Sequence, residues 1–258
     1  MRNPLLLLPF IFVTVFTTTA AAQERITDEA EARAIFEEVE ERRNSIQSET
    51  AIMEMVITDN RGRTRSRTMQ SWIKNDGDDT SSLIVFSAPG NVRGTGFLSV
   101  NEGGSTTQRL YLPSVGRIQT IGSSERGDRF MGSDFTYEDL GDQNPDDYDF
   151  EWLEEHDEIF LIRASKPDSD QYSYVKFEII KETYALKNIH YFDENDNQIK
   201  RLEAEQFEEI SDGLWSPAKM TMFDLREDRK TEISWSEREV NSTIEDWRFT
   251  ERGLRRGI

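Results

Sequence analysis

The chain has 258 residues, no cysteine and a formal net charge of −19. Without cysteine there is neither a disulfide nor a thiolate-held cofactor, so stability must come from an ordinary core, which about 235 residues can build as one all-β barrel or sandwich. The charge makes nucleic acid a poor partner and predicts repulsion from an anionic headgroup layer; it suits solubility, or a carrier that avoids membranes and docks where a partner offers basic residues.

Arg2, the apolar run Leu5 to Phe16 and the small residues Ala20, Ala21 and Ala22 have the three-part order of a signal peptide. We read residues 1–22 as a leader cleaved after Ala22 and 23–258 as a single exported domain, because the apolar run falls short of the roughly 20 residues that span a bilayer. Asp28 as cap, Glu31 three residues on, and Ala32, Ile35, Phe36 and Val39 at helical spacing predict a helix through Arg43. Its narrow apolar stripe suits a helix lying on a sheet.

From Glu49 the pattern turns to strands, expected at 51–58, 63–74, 82–87, 95–101, 108–112, 117–121, 159–165, 172–181, 184–192, 199–209, 214–225 and 230–237. Val175, Phe177 and Ile179 share one strand face, as do Met220 and Met222. Eleven or twelve strands after one helix predict a long curved antiparallel sheet, wholly or partly closed into a barrel, with the helix and an irregular stretch at 122–153 as cover.

Catalytic signals are weak, and no enzyme, metal or cofactor is expected. His156 and His190 stand in no metal-ligand spacing. The run from Gly122 to Gly127 lacks the glycine that a nucleophile elbow needs at 126. Asp193 to Gln198 resembles the start of a calcium loop, but Gln198 and Ala204 replace the required Gly and Glu, so a polar hairpin turn is expected.

The most unusual stretch is Arg109-Leu110-Tyr111-Leu112-Pro113-Ser114-Val115-Gly116-Arg117-Ile118, followed by Phe130-Met131-Gly132-Ser133-Asp134-Phe135-Thr136-Tyr137-Glu138-Asp139-Leu140. The second part is either a loop tucked over the sheet or a lid over a cavity. These two runs, with Trp215-Ser216-Pro217-Ala218-Lys219 and Phe249-Thr250-Glu251-Arg252-Gly253-Leu254, resemble the outer membrane lipoprotein-sorting protein family, a LolA-like group, over nearly the whole exported chain. The resemblance implies a periplasmic, mainly β protein with a few helices: an unclosed β-barrel, a helical lid and a hydrophobic cavity for lipid or lipoprotein acyl chains. It also implies work beside an inner-membrane transporter of the RND type.

On that reading Met53, Met55, Trp72, Phe97, Phe177, Met220 and Met222 are the candidate cavity residues, methionine being adaptable; plain core is the other reading. Phe130, Met131, Phe135 and Tyr137 are the lid residues, with Asp134 and Asp139 anchoring the loop. Arg109 and Arg117 either meet a phosphate headgroup or pair with neighbouring acids. The chain is expected to be a monomer without stable membrane insertion. Two rivals are a transporter adaptor whose barrel is filled by its own side chains and an enzyme acting on lipid or glycan in a carboxylate-lined cleft.

Overall fold

The computed structural model describes residues 29–77, 79–141, 144–167, 169 and 171–258; the expected leader, its expected cleavage site and the expected cap at Asp28 lie outside them. Helix α1 (Glu29–Asn44) buries Ala32, Phe36 and Val39, and its acidic first turn and basic last turn complement the helix dipole. Thirteen strands follow: β1 (Ser48–Thr58), β2 (Thr64–Asp76), β3 (Asp79–Ala88), β4 (Gly96–Glu102), β5 (Ser105–Leu112), β6 (Arg117–Ile121), β7 (Asp149–Glu155), β8 (Ile159–Ser165), β9 (Tyr174–Ile180), β10 (Leu186–Phe192), β11 (Gln198–Ser211), β12 (Leu214–Asp224) and β13 (Arg229–Val240). A short α2 (Glu251–Arg256) closes the chain.

All thirteen strands form one antiparallel sheet in the order β6-β5-β4-β3-β2-β1-β13-β12-β11-β10-β9-β8-β7. Only the β1–β13 pair joins strands distant in sequence; its register sets Met53 opposite Trp235 and Met55 opposite Ile233. The two edges are therefore consecutive strands, β6 and β7. They do not pair, so the barrel is unclosed, and the chain between them crosses from one edge to the other.

β7 was not among the expected strands. Its sequence is acidic, and a register shift between Phe150 and Trp152 breaks the alternation that would have marked it. The polar run from Asp193 is the hairpin turn expected of it: Asp193 Oδ1 accepts from the amides of Asn195 and Asn197 at 2.9 and 3.0 Å.

The sheet is apolar on both faces over β2 to β4, and the parity of each strand sorts the residues. Met69, Phe86 and Phe97 face inward, into one core shared with α1. Trp72, Leu83, Val85 and Leu98 face outward and are covered by Leu254 of α2. That cover needs glycine at two points of close approach: a Cβ at Gly96 would lie 2.7 Å from Leu254 Cδ1, and one at Gly253 would lie 2.0 Å from the Arg248 carbonyl.

Candidate functional site

The inner face is a continuous apolar wall. Met53 and Met55 from β1, Phe97 from β4, Phe177 from β9 and Met222 from β12 are all buried in it, and the partly buried Met220 packs against it. Five of the seven candidate cavity residues thus stand inside, with Met220 at the border. Trp72 does not, because it has the opposite parity to Met69 on β2 and belongs to the outer cluster under α2.

Two aromatic side chains plug this interior. Phe36 of α1 sits 4.8 Å from Phe177 and 5.4 Å from Phe150, ring centre to ring centre. Phe130, with no exposed surface, sits 5.2 Å from Phe97, 5.8 Å from Phe86 and 5.8 Å from Tyr137. Such contacts lie in the range of favourable tilted and edge-to-face aromatic pairs. A void in the apolar interior, against Phe177, Ile189 and Tyr191, is ≈ 10 Å³. Ligand pockets usually measure roughly 300–1,000 Å³, so among the described residues the expected hollow is filled by the protein's own side chains.

Phe130 is carried by a tight loop. Its amide donates to the Phe135 carbonyl at 2.8 Å, and Arg129 and Thr136 form an isolated antiparallel bridge. Between them Met131 (φ 50°) and Gly132 (φ 77°) both adopt the left-handed region; glycine takes it freely and methionine does so at a cost of about 1 kcal/mol or more. Phe135 and Tyr137 are buried beside Phe130, while Met131 is only partly covered.

Carboxylates hold the loop down. The Asp134 side chain is fully buried; its Oδ2 accepts from Thr231 Oγ1 at 2.7 Å and its amide donates to the same oxygen at 2.9 Å. Arg229 Nε stands 3.1 Å from Asp134 Oδ1, and its Nη2 donates to the Gly132 carbonyl at 3.0 Å. Burial pushes the Asp134 carboxyl above its ordinary range, against the opposing pull of Thr231 and Arg229. Asp139 accepts from the Thr136 hydroxyl at 2.8 Å and pairs with Lys200, and Glu138 lies 3.5 Å from Lys166. The anchoring role expected of Asp134 and Asp139 fits these contacts.

Arg109 and Arg117 stand elsewhere. Gln108 and Leu110 take the inward positions of β5, so Arg109 faces outward, 3.9 Å from Glu251, and Arg117 is exposed beside the β5–β6 turn. Neither reaches the interior. His190 is engaged in the sheet, bonded to Glu178 Oε1 at 2.7 Å and to Gln198 at 3.0 Å.

One void escaped sequence reasoning. A cavity of ≈ 170 Å³ opens under the C-terminal end of α1, where Asn75, Thr80, Ser82, Ser99 and Asn101 line it together with Ile46, Ile73 and Leu140. Asn75 Oδ1 and Thr80 Oγ1 are buried there without hydrogen-bond partners. These polar residues continue the inward parity of Phe86 and Phe97, and that alternation was the available signal. Its volume has room for a few waters and falls below the roughly 300–1,000 Å³ of a ligand pocket.

Residues 78–256 match the model of a family described as uncharacterized protein. No curated protein matches by sequence. Among solved structures, an outer membrane lipoprotein-sorting protein domain from Vibrio parahaemolyticus is 24% identical with a TM-score of 0.81, covering 88% of this chain and 100% of its own. A DUF1329 family protein from Desulfovibrio piger is 25% identical with the same TM-score and coverage. A LolA superfamily protein from Nitrosomonas europaea, 17% identical, superposes with a TM-score of 0.67 over 85% of this chain and 97% of its own.

Proposed function

The chain belongs to the family whose model spans residues 78–256, its fold is that of the LolA-like lipoprotein-sorting proteins, and from this we propose that it is a periplasmic carrier for lipid or lipoprotein acyl chains. In this reading the domain begins after a leader removed at Ala22, and the interior opens when the loop at 129–139 lifts away with Phe130.

The observation that carries the proposal is the way the plug is fixed. Its apolar side chains complete an apolar wall, but the loop that bears them is tied to β11 and β13 by the carboxylates of Asp134 and Asp139. Polar ties can exchange with water as the loop lifts. Magnitudes favour reversible exchange: a long acyl chain gains on the order of 10 kcal/mol gross by burial at about 0.8 kcal/mol per methylene, and exposing Phe130, Phe135 and Tyr137 costs about 1.5–3 kcal/mol each. Uptake and release are then nearly balanced. A partner of slightly different affinity can drive either direction, and in this proposal an inner-membrane transporter of the RND type supplies that partner.

The filled interior favours a second reading, an adaptor subunit that carries nothing. Mass spectrometry of lipids that co-purify with the protein from its native compartment separates the two. Cargo near one-to-one supports carriage; consistently empty protein supports the adaptor.

A further inference from the structure

The acidic surplus is unevenly spread. The turns β1–β2, β3–β4 and β5–β6 lie at one end of the sheet, because neighbouring strands are antiparallel, and α2 packs beside them through Leu254 on Gly96. The four segments 59–67, 88–96, 111–117 and 250–258 hold nine arginines and two acids. That is a balance of +7 in a chain of −19, so the remainder carries −26.

Of the nine, only Arg63 is held in an ion pair among the described residues, with Asp59 at 2.7 Å. Among the described residues, Arg93, Arg117, Arg252, Arg255 and Arg256 make no ion pair and all are exposed, whereas most lysines and arginines elsewhere do pair. Arg67 has a buried Nη1 without a hydrogen-bond partner. The segments touch: a Cβ on Gly94 would lie 3.2 Å from Pro113 Cγ, and Arg255 Nη1 donates to the Gly116 carbonyl at 3.5 Å.

Among the described residues, two of the four exposed large apolar side chains stand on this pole, Val115 at 60% exposure on a turn tip and Ile258 at 64%. Apolar side chains exposed among arginines that mostly lack ion pairs suit a broad, soft, anionic surface better than a protein groove.

We propose that this basic pole docks the protein on an anionic phospholipid surface, with Val115 and Ile258 entering the headgroup layer. The inference stands on charge and exposure and does not require the carrier reading. It revises the expectation of simple repulsion: a Debye length of about 8 Å screens the distant acids while the pole is in contact. The other half of the same end carries Asp193, Glu194, Asp196, Glu227 and Asp228 at its turns, so the contact falls on the β1–β6 half.

Co-sedimentation of the purified protein with phosphatidylcholine vesicles, with and without phosphatidylglycerol, tests this. Binding should require phosphatidylglycerol and weaken with added salt. At about 1 kcal/mol per arginine, each removal costs roughly fivefold, and Arg93→Gln/Arg117→Gln/Arg252→Gln together cost on the order of 100-fold while leaving the melting temperature unchanged. Because the chain lacks cysteine, Val115→Cys carries a polarity-sensitive fluorophore at one position, and its emission should shift to the blue on anionic vesicles only. Equal binding to both vesicles, or an unaltered triple variant, overturns the proposal. So does a protein that ignores vesicles and loses an acidic protein partner on the triple substitution.

Discussion

Asp134→Ala should loosen the loop without unfolding the barrel. The substitution leaves the Thr231 hydroxyl, on a residue with no exposed surface, without its acceptor, which costs about 1–3 kcal/mol. It also leaves Arg229 with the Gly132 carbonyl and Glu227 at 3.6 Å as remaining partners, a milder loss than the roughly 3–5 kcal/mol of a fully orphaned buried charge. Part is returned, because burial opposes the ionised Asp134 carboxyl. The net is about 2 kcal/mol, which speeds local opening roughly 30-fold. Amide hydrogen exchange reads this at Phe130, Ser133 and Tyr137, whose N–H groups are bonded to Phe135, Phe130 and Asp128. Amides in the centre of β1 should keep their rates. If the three loop amides exchange as in the parent, the carboxylate does not hold the loop and the latch is wrong.

Phe130→Ala removes a fully buried ring and should lower unfolding free energy by about 3–5 kcal/mol in denaturant titration, or less where the loop collapses into the space. Leu254→Ala should cost about 2–5 kcal/mol, and Gly253→Ala should displace α2 by its clash with the Arg248 carbonyl; earlier proteolysis of the C-terminal segment reports both. Glu178 is held below its ordinary range first by its hydrogen bond to His190, so its contribution is present above the unfolded carboxylate range and lost as pH falls through the folded value. In His190→Ala the acid-side loss of stability should shrink. Asp134, raised by burial, has the opposite sign: its contribution is complete below the ordinary carboxylate range and lost as pH rises through its folded value.

Much of the sheet was legible because half-buried strands announce themselves by alternation. The strands 117–121 and 159–165 begin and end where the pattern says. β7 stayed hidden behind acids and a register shift, and α2 behind its brevity and a central glycine that docking requires. The loop was visible as a motif, since few segments place Phe130, Phe135 and Tyr137 among so many turn residues. Its tethers were not: Lys200 and Thr231 lie 61 and 97 residues from the carboxylates they meet, and no local rule links them.

Trp72 shows the limit of parity reasoning. Where both faces of a strand are apolar, one sequence cannot say which face is inward, and here Met69 takes the interior while Trp72 takes the cover. The basic pole escaped for a different reason. Its charge is scattered over four segments that only the topology assembles, and the total of −19 conceals it.

The central claim, that the apolar interior admits an acyl chain only when the loop lifts, is tested most directly by locking the loop. Asp134→Cys with Thr231→Cys places the only two thiols of the chain where side chains already meet. Binding of a fluorescent long-chain fatty acid to this variant should be near one-to-one when reduced and absent when oxidised. Equal binding in both states, or none in either, would contradict the account.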